Sequence, residues 1–140
     1  KVGIVSQSTQ AIENVQEIIN ILMTKVFDLH FVNTICFPTK RNHEQIKDMA
    51  KINDIMIIIG SFTSANSNRL TQLSLDYNSQ SYQVTDSEDL KPEWFMDKDK
   101  IGISAGASTP DYLIKDVKHN IENIYKEKLW DKEPSKLKLA

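Results

Sequence analysis

Apolar positions in this chain fall into two kinds of run, and the two kinds alternate. Val2–Ser6 is a short apolar run of strand type. Ile12, Val15, Ile18, Ile19, Leu22, Met23 and Val26 then recur at helical spacing and predict an amphipathic helix of about four turns. His30–Ile35 is rich in β-branched and aromatic residues and reads as a second strand. Ile46, Met49 and Ala50 mark a short helix after it. Ile55–Ile59 is apolar at consecutive positions, which requires cover on both faces and so predicts a central parallel strand.

The second half repeats the alternation. Leu70, Leu73 and Tyr77 predict a helix from Asn66 to Tyr77, and Ser81–Thr85 is a weaker strand followed by the polar turn Asp86–Asp89. Lys91–Phe95 reads as a single helical turn and Ile101–Ser104 as the last strand. Thr109-Pro110-Asp111 then opens a helix, with Thr as N-cap, Pro at the first helical position and an acid in the first turn. Its apolar stripe is Leu113, Val117, Ile121 and Ile124. After Tyr125 the composition turns to Lys, Glu and Pro and predicts a mobile tail or linker. The fold class is α/β with a mostly parallel sheet.

Composition narrows the partners. The 140 residues suffice for one compact domain or little more. Seventeen basic against nineteen acidic residues, a net charge of −2, remove the electrostatic case for nucleic acid. No apolar run approaches the roughly twenty residues of a membrane span. The single cysteine excludes an internal disulfide and a multi-thiolate metal site made by this chain alone. The opening Lys1-Val2-Gly3-Ile4-Val5 has no initiator Met and no signal-peptide pattern, which suggests a piece of a longer protein.

In open α/β sheets, ligands bind beyond the carboxyl ends of the strands, where helix N-termini present free N–H groups. The segments at those positions are Gln7-Ser8-Thr9, Cys36-Phe37-Pro38-Thr39, Gly60 through Arg69, and Ala105-Gly106-Ala107-Ser108-Thr109. They are rich in hydroxyls and amides and nearly uncharged, which suits an anion held by neutral donors. Each has a simpler reading too. Ser8, Thr9 and Asn66 could be helix caps and Cys36 a small buried hydrophobe, while His43, near Cys36 in sequence, could stand behind it. The glycines are too dispersed for a dinucleotide or P-loop fingerprint, and Asn42 stands where a cysteine phosphatase needs its Arg.

Taken together, these loops resemble one family. Ser6-Gln7-Ser8-Thr9 is similar to its S-Q-T-T segment, and Asn33-Thr34-Ile35-Cys36 to its D-T-I-C. Gly60-Ser61 and Thr63 through Leu70 are similar to its G-S-x-x-S-S-N-[ST]-x-[RK]-L. Pro92-Glu93-Trp94 resembles a P/E-E-W step, and Ala105 through Pro110 resembles A-G-A-S-[TA]-P. The family is that of the 4-hydroxy-3-methylbut-2-enyl diphosphate reductases (IspH/LytB), and the resemblance covers residues 1–125.

The resemblance implies an oxidoreductase of the non-mevalonate isoprenoid pathway. It would reductively dehydroxylate an allylic diphosphate at a 4Fe–4S cluster held by three cysteines, with electrons from a donor such as ferredoxin or flavodoxin. By position, Cys36 would be one cluster ligand, with two more expected upstream. Ser64, Asn66 and Ser108 would bind the diphosphate, with Ser8 and Thr9 beside the substrate. The catalytic acid and histidine are expected upstream, so none is assigned here. Residues 1–32 would be a strand–helix unit of a preceding lobe, 33–126 a three-layer αβα lobe, and 127–140 a polar tail. No nucleic acid and no membrane is implied, and the compartment would be a bacterial cytoplasm or, in a eukaryote, a plastid or apicoplast. Ala65 departs from the family's second Ser, and Arg41-Asn42-His43 from its x-Arg-Gln. A non-catalytic phosphate-binding module is the alternative from another class; a regulatory domain with a degenerate site is the third.

Overall fold

A computed structural model describes residues 1–132. Five strands and four α-helices alternate: β1 (Val2–Val5), α1 (Ile12–Met23), β2 (Leu29–Val32), α2 (Phe37–Ile52), β3 (Ile55–Ile59), α3 (Ala65–Leu75), β4 (Ser81–Val84), β5 (Ile101–Ala105) and α4 (Asp111–Lys132). Two 3-10 turns, Ser87–Asp89 and Pro92–Phe95, lie between β4 and β5. The strands form two sheets. β1 and β2 pair in parallel, and the other three run parallel in the order β4-β3-β5.

β3 is central and every residue in it is fully buried, as its unbroken apolar run requires. Its side chains alternate between two cores. Ile55, Ile57 and Ile59 pack with Val84, Phe95, Val117 and Ile121, which places α4 on that face. Met56 and Ile58 pack with Ile46, Ala50, Leu70 and Leu73, which places α2 and α3 on the other. The three-layer αβα arrangement follows from this alternation.

Three boundaries differ from those expected. α2 starts at Phe37, well before the apolar marks at Ile46–Ala50, because Pro38 suits a first turn and the early buried positions are the polar Thr39 and His43. β2 ends at Val32, where Asn33 Oδ1 accepts the Ile35 N–H at 3.2 Å and bends the chain. α4 continues through Lys132, past Tyr125 and into the stretch expected to be a tail. Tyr125 OH donates to Lys98 O at 2.7 Å and Lys128 Nζ to Phe95 O at 2.8 Å, which ties that part of α4 to the loop before β5. Residues 133–140 of the expected tail lie outside the described residues.

Candidate functional site

The chain leaves β3 for α3 on one face of the sheet and leaves β5 for α4 on the other. Adjacent strands whose exits diverge open a crevice between their carboxyl ends, the usual ligand position in this architecture. Here the crevice is edged by Gly60 and Gly106, one residue beyond the paired Ile59 and Ala105. Gly106 N–H donates to Ile59 O and Gly60 N–H to Val84 O, each at 2.9 Å, so both loops start as extensions of the ladder. A cavity of about 280 Å³ sits there, lined in part by Gly60, Ser61, Thr85, Ser108, Thr109 and Pro110. No charged side chain lines it. Any anion in it would be held by hydroxyls, backbone amides and helix termini.

The loop from β3 to α3 is held in one shape by its neighbours. Gln83 Nε2 donates to Gly60 O at 3.2 Å and Ser61 O at 3.1 Å, while Thr71 Oγ1 holds Gln83 Oε1 at 2.9 Å. Asn68 Nδ2 donates to Phe62 O at 2.9 Å. Ser64 is the N-cap of α3, its Oγ accepting the Ser67 N–H at 3.3 Å. Asn66 lies inside the first turn of α3 and not at its cap. Ser64 and Asn66 are half-buried and stand at the start of the helix, whereas Ser108 is exposed and lines the cavity itself. Thr109 is not the side-chain cap expected for α4; its hydroxyl donates to Ile59 O at 3.0 Å across the strand ends.

A second place lies at the ends of β1 and β2. The Cys36 N–H donates to Ser8 O at 3.0 Å, which brings the two strand-end segments together. Ser6 N–H donates to Thr34 Oγ1 at 2.9 Å beside it. Neither Ser8 nor Thr9 caps α1, whose N-cap is Ala11; Gln10 Oε1 accepts the Ala11 N–H instead. Cys36 is half-buried at the N-cap of α2, with Sγ 2.8 Å from Thr39 Oγ1. That hydrogen bond, joined by the Thr39 backbone, holds the thiol below its ordinary pKa. A helix N-terminus favours a thiolate for the same electrostatic reason. Cys36 is thus a half-buried, hydrogen-bonded thiol and not a small buried hydrophobe. Among the described residues no three His, Cys, Asp or Glu side chains gather to hold a metal, so Cys36 can supply one ligand and no more.

His43 is not a partner of Cys36; Thr39 is. His43 is a buried residue of α2 near Glu13, Lys47 and Arg69, and burial lowers its pKa. Lys47 Nζ pairs with Glu13, which draws the Glu13 pKa down and pushes that of Lys47 up. Sequence reasoning missed Gln83, and it gave Thr39 and Ser67, which lie in the strand-end segments, no role of their own. Thr39 had a usable signal, three positions after a cysteine at a helix start; Gln83 in its strand had none.

Fold and crevice define an α/β protein with an uncharged cleft at the carboxyl ends of a parallel sheet, and a separate hydrogen-bonded thiol at a helix start. The sequence matches the LytB protein family over residues 1–122, and the chain belongs to that family. The 4-hydroxy-3-methylbut-2-enyl diphosphate reductase of Campylobacter lari is 42% identical over 126 residues, covering 90% of this chain and 45% of the relative. The enzyme of that name from Aquifex aeolicus is 42% identical over 124 residues, covering 89% of the chain and 43% of the relative. A solved (E)-4-hydroxy-3-methyl-but-2-enyl diphosphate reductase, the terminal enzyme of the non-mevalonate pathway, superposes with a TM-score of 0.64 at 41% identity, over 86% of this chain and 43% of that one. The Plasmodium falciparum reductase shares the fold at a TM-score of 0.78 and 22% identity, over 85% of this chain and 38% of that one. The chain thus spans under half the length of these relatives.

Proposed function

We propose that this chain forms part of a reductase acting on 4-hydroxy-3-methylbut-2-enyl diphosphate. The allylic C–O bond breaks, two electrons and two protons are consumed, and isopentenyl or dimethylallyl diphosphate leaves with one water. The names of relatives 42% identical to this chain support the reading. The structural observation that carries it is Cys36, a thiol activated by Thr39 at the start of α2 and joined through its amide to Ser8. Cys36 would be one of three thiolates on a 4Fe–4S cluster, the other two supplied from outside this chain. Such a cluster, when bound, offers an open iron that serves as Lewis acid and electron conduit.

The chain's own residues bind and orient. Ser64, Asn66 and Ser108 with the N-terminus of α3 would take the diphosphate, and Ser8 with Thr9 would flank the substrate near the thiol. Ala65 offers one hydroxyl fewer than the family pattern. A one-electron carrier of ferredoxin or flavodoxin type would supply the electrons, and a reducing interior suits the unpaired thiol. The boundary between a preceding lobe and this one would fall near residues 32 and 33; the pairing of β1 with β2, apart from the β4-β3-β5 sheet among the described residues, supports that reading.

The test is iron content, visible absorption and turnover of protein made anaerobically from the complete reading frame, wild type against Cys36→Ser. A hydroxyl is a far poorer ligand for iron–sulfur than a thiolate, so the variant should lose iron and activity by orders of magnitude. Equal iron and turnover in the two would overturn the reading. Pyrophosphate binding without iron in the wild type would favour the non-catalytic module.

A further inference from the structure

Ser67 lies in the first turn of α3, is 1% exposed, and its hydroxyl has no hydrogen-bond partner among the described residues. A buried hydroxyl left unpaired is unfavourable, so something other than hydrogen bonding accounts for its place. The two glycines of the crevice supply the reason. Neither Gly60 nor Gly106 takes a positive φ, so neither is needed for backbone conformation. A β-carbon at Gly60 would lie 2.0 Å from Ser67 Oγ and 2.7 Å from its Cβ; one at Gly106 would lie 2.4 Å from the Oγ but 3.6 Å from the Cβ. The hydroxyl therefore fills the notch that the two glycines leave, on the α3 side of the strand ends. Thr109 Oγ1 stands 3.6 and 3.5 Å from the same two positions and is tied to Ile59 O at 3.0 Å.

We infer that Ser67 is a positioning residue: its hydroxyl is the spacer that sets the gap between the loop after β3 and the loop after β5, and so the spacing of the groups on them that bind a diphosphate. The inference rests on the diphosphate reading for its consequence and on the glycine geometry for its cause. It makes an asymmetric demand. Gly106→Ala collides only with the hydroxyl, so removing that one oxygen by Ser67→Ala should make room. Gly60→Ala also meets the Ser67 β-carbon, which Ser67→Ala retains.

The experiment is titration of inorganic pyrophosphate into protein from the complete reading frame, with hydrogen–deuterium exchange of residues 60–64 and 106–109 in the ligand-free state. Gly106→Ala should weaken pyrophosphate at least tenfold and raise exchange in both loops. Gly106→Ala/Ser67→Ala should return to within about threefold of Ser67→Ala alone, while Gly60→Ala/Ser67→Ala should stay as weak as Gly60→Ala. Should Gly106→Ala fail to fold, recovery of folded protein in the double variant supports the inference and continued failure overturns it. Wild-type binding and exchange in Gly106→Ala would show that the hydroxyl simply yields, and would overturn it. So would a double variant no better than Gly106→Ala. Wild type that ignores pyrophosphate would sink the diphosphate reading alone, because the exchange pattern still decides whether Ser67 couples the two loops.

Discussion

Ser64 caps α3, and under the proposed function the same side chain would also face a ligand. Its Oγ accepts the Ser67 N–H, so Ser64→Ala should cost about 1 kcal/mol of stability from the lost cap. Ser64→Asp keeps a cap acceptor but adds a negative charge beside the cavity. Chemical denaturation should find Ser64→Asp near wild type, while pyrophosphate titration should find it much weaker than Ser64→Ala. His43 carries a second prediction. Burial lowers its pKa from the usual 6.5, with Glu13 and Glu44 opposing and Lys47 and Arg69 reinforcing the shift. The unfolded chain therefore takes up a proton first, and stability is complete above about pH 6.5 and falls as pH drops from there toward the folded value. His43→Gln, the residue type of the family pattern at this position, should flatten that slope in denaturant midpoints measured between pH 7 and 5. Glu13, also lowered, adds a further loss below its ordinary 4.5, so a residual acid slope is expected there. The cap at Ser64 and the burial of His43 are not visible in the sequence, because a cap, a core histidine and a ligand contact use the same letters.

At the scale of elements, legibility followed the chemistry of the buried face. β3 was readable because five consecutive apolar residues need cover on both faces of a strand, and the structure buries all five. The start of α2 was not, because its early buried face is made of Thr39 and His43, which carry no hydrophobic period. The far end of α4 was missed for a related reason. Lys and Glu are good helix formers that leave no apolar stripe to count. The strand-end loops stood out by composition, but Gln83 and Ser67 act through packing and bonding across the fold. The two-sided burial of β3 gives a direct test. Ile57→Ala opens the core under α4 and Ile58→Ala the core under α2 and α3, and each should cost about 2–5 kcal/mol by denaturant unfolding. A sheet covered on one face would show the loss for only one of them.

Across the whole molecule, apolar exposure is uneven. Val5, Ile18, Ile21, Met23, Phe27 and Val32 are exposed and crowd into β1, α1, β2 and the turn after α1, whereas other exposed apolar side chains, such as Ile52, Phe62 and Tyr112, are spread over the rest of the chain. The amphipathic face expected of α1 does form, but among the described residues only Val15 on that helix is buried. A surface of this kind calls for a partner surface. The 140-residue chain made alone should bind a hydrophobic dye and self-associate, and protein from the complete reading frame should do so far less; equal dye binding would count against a covered face. The chain alone should also hold no stable 4Fe–4S cluster, since one thiolate cannot replace three.

The central place of β3 also bears on how the chain emerges from a ribosome. β3 is the first strand of its sheet to be made, β5 must follow before its second edge is paired, and α4 comes last to cover Ile55, Ile57 and Ile59. Until Val117 and Ile121 arrive, only Val84 and Phe95 cover one face of this apolar strand, the condition under which nascent chains aggregate. A chain stopped before Asp111 would remain in that condition permanently. It should collect in inclusion bodies to a much larger fraction than one ending after Lys132, and the rate of translation between β3 and α4 would govern the yield of folded protein.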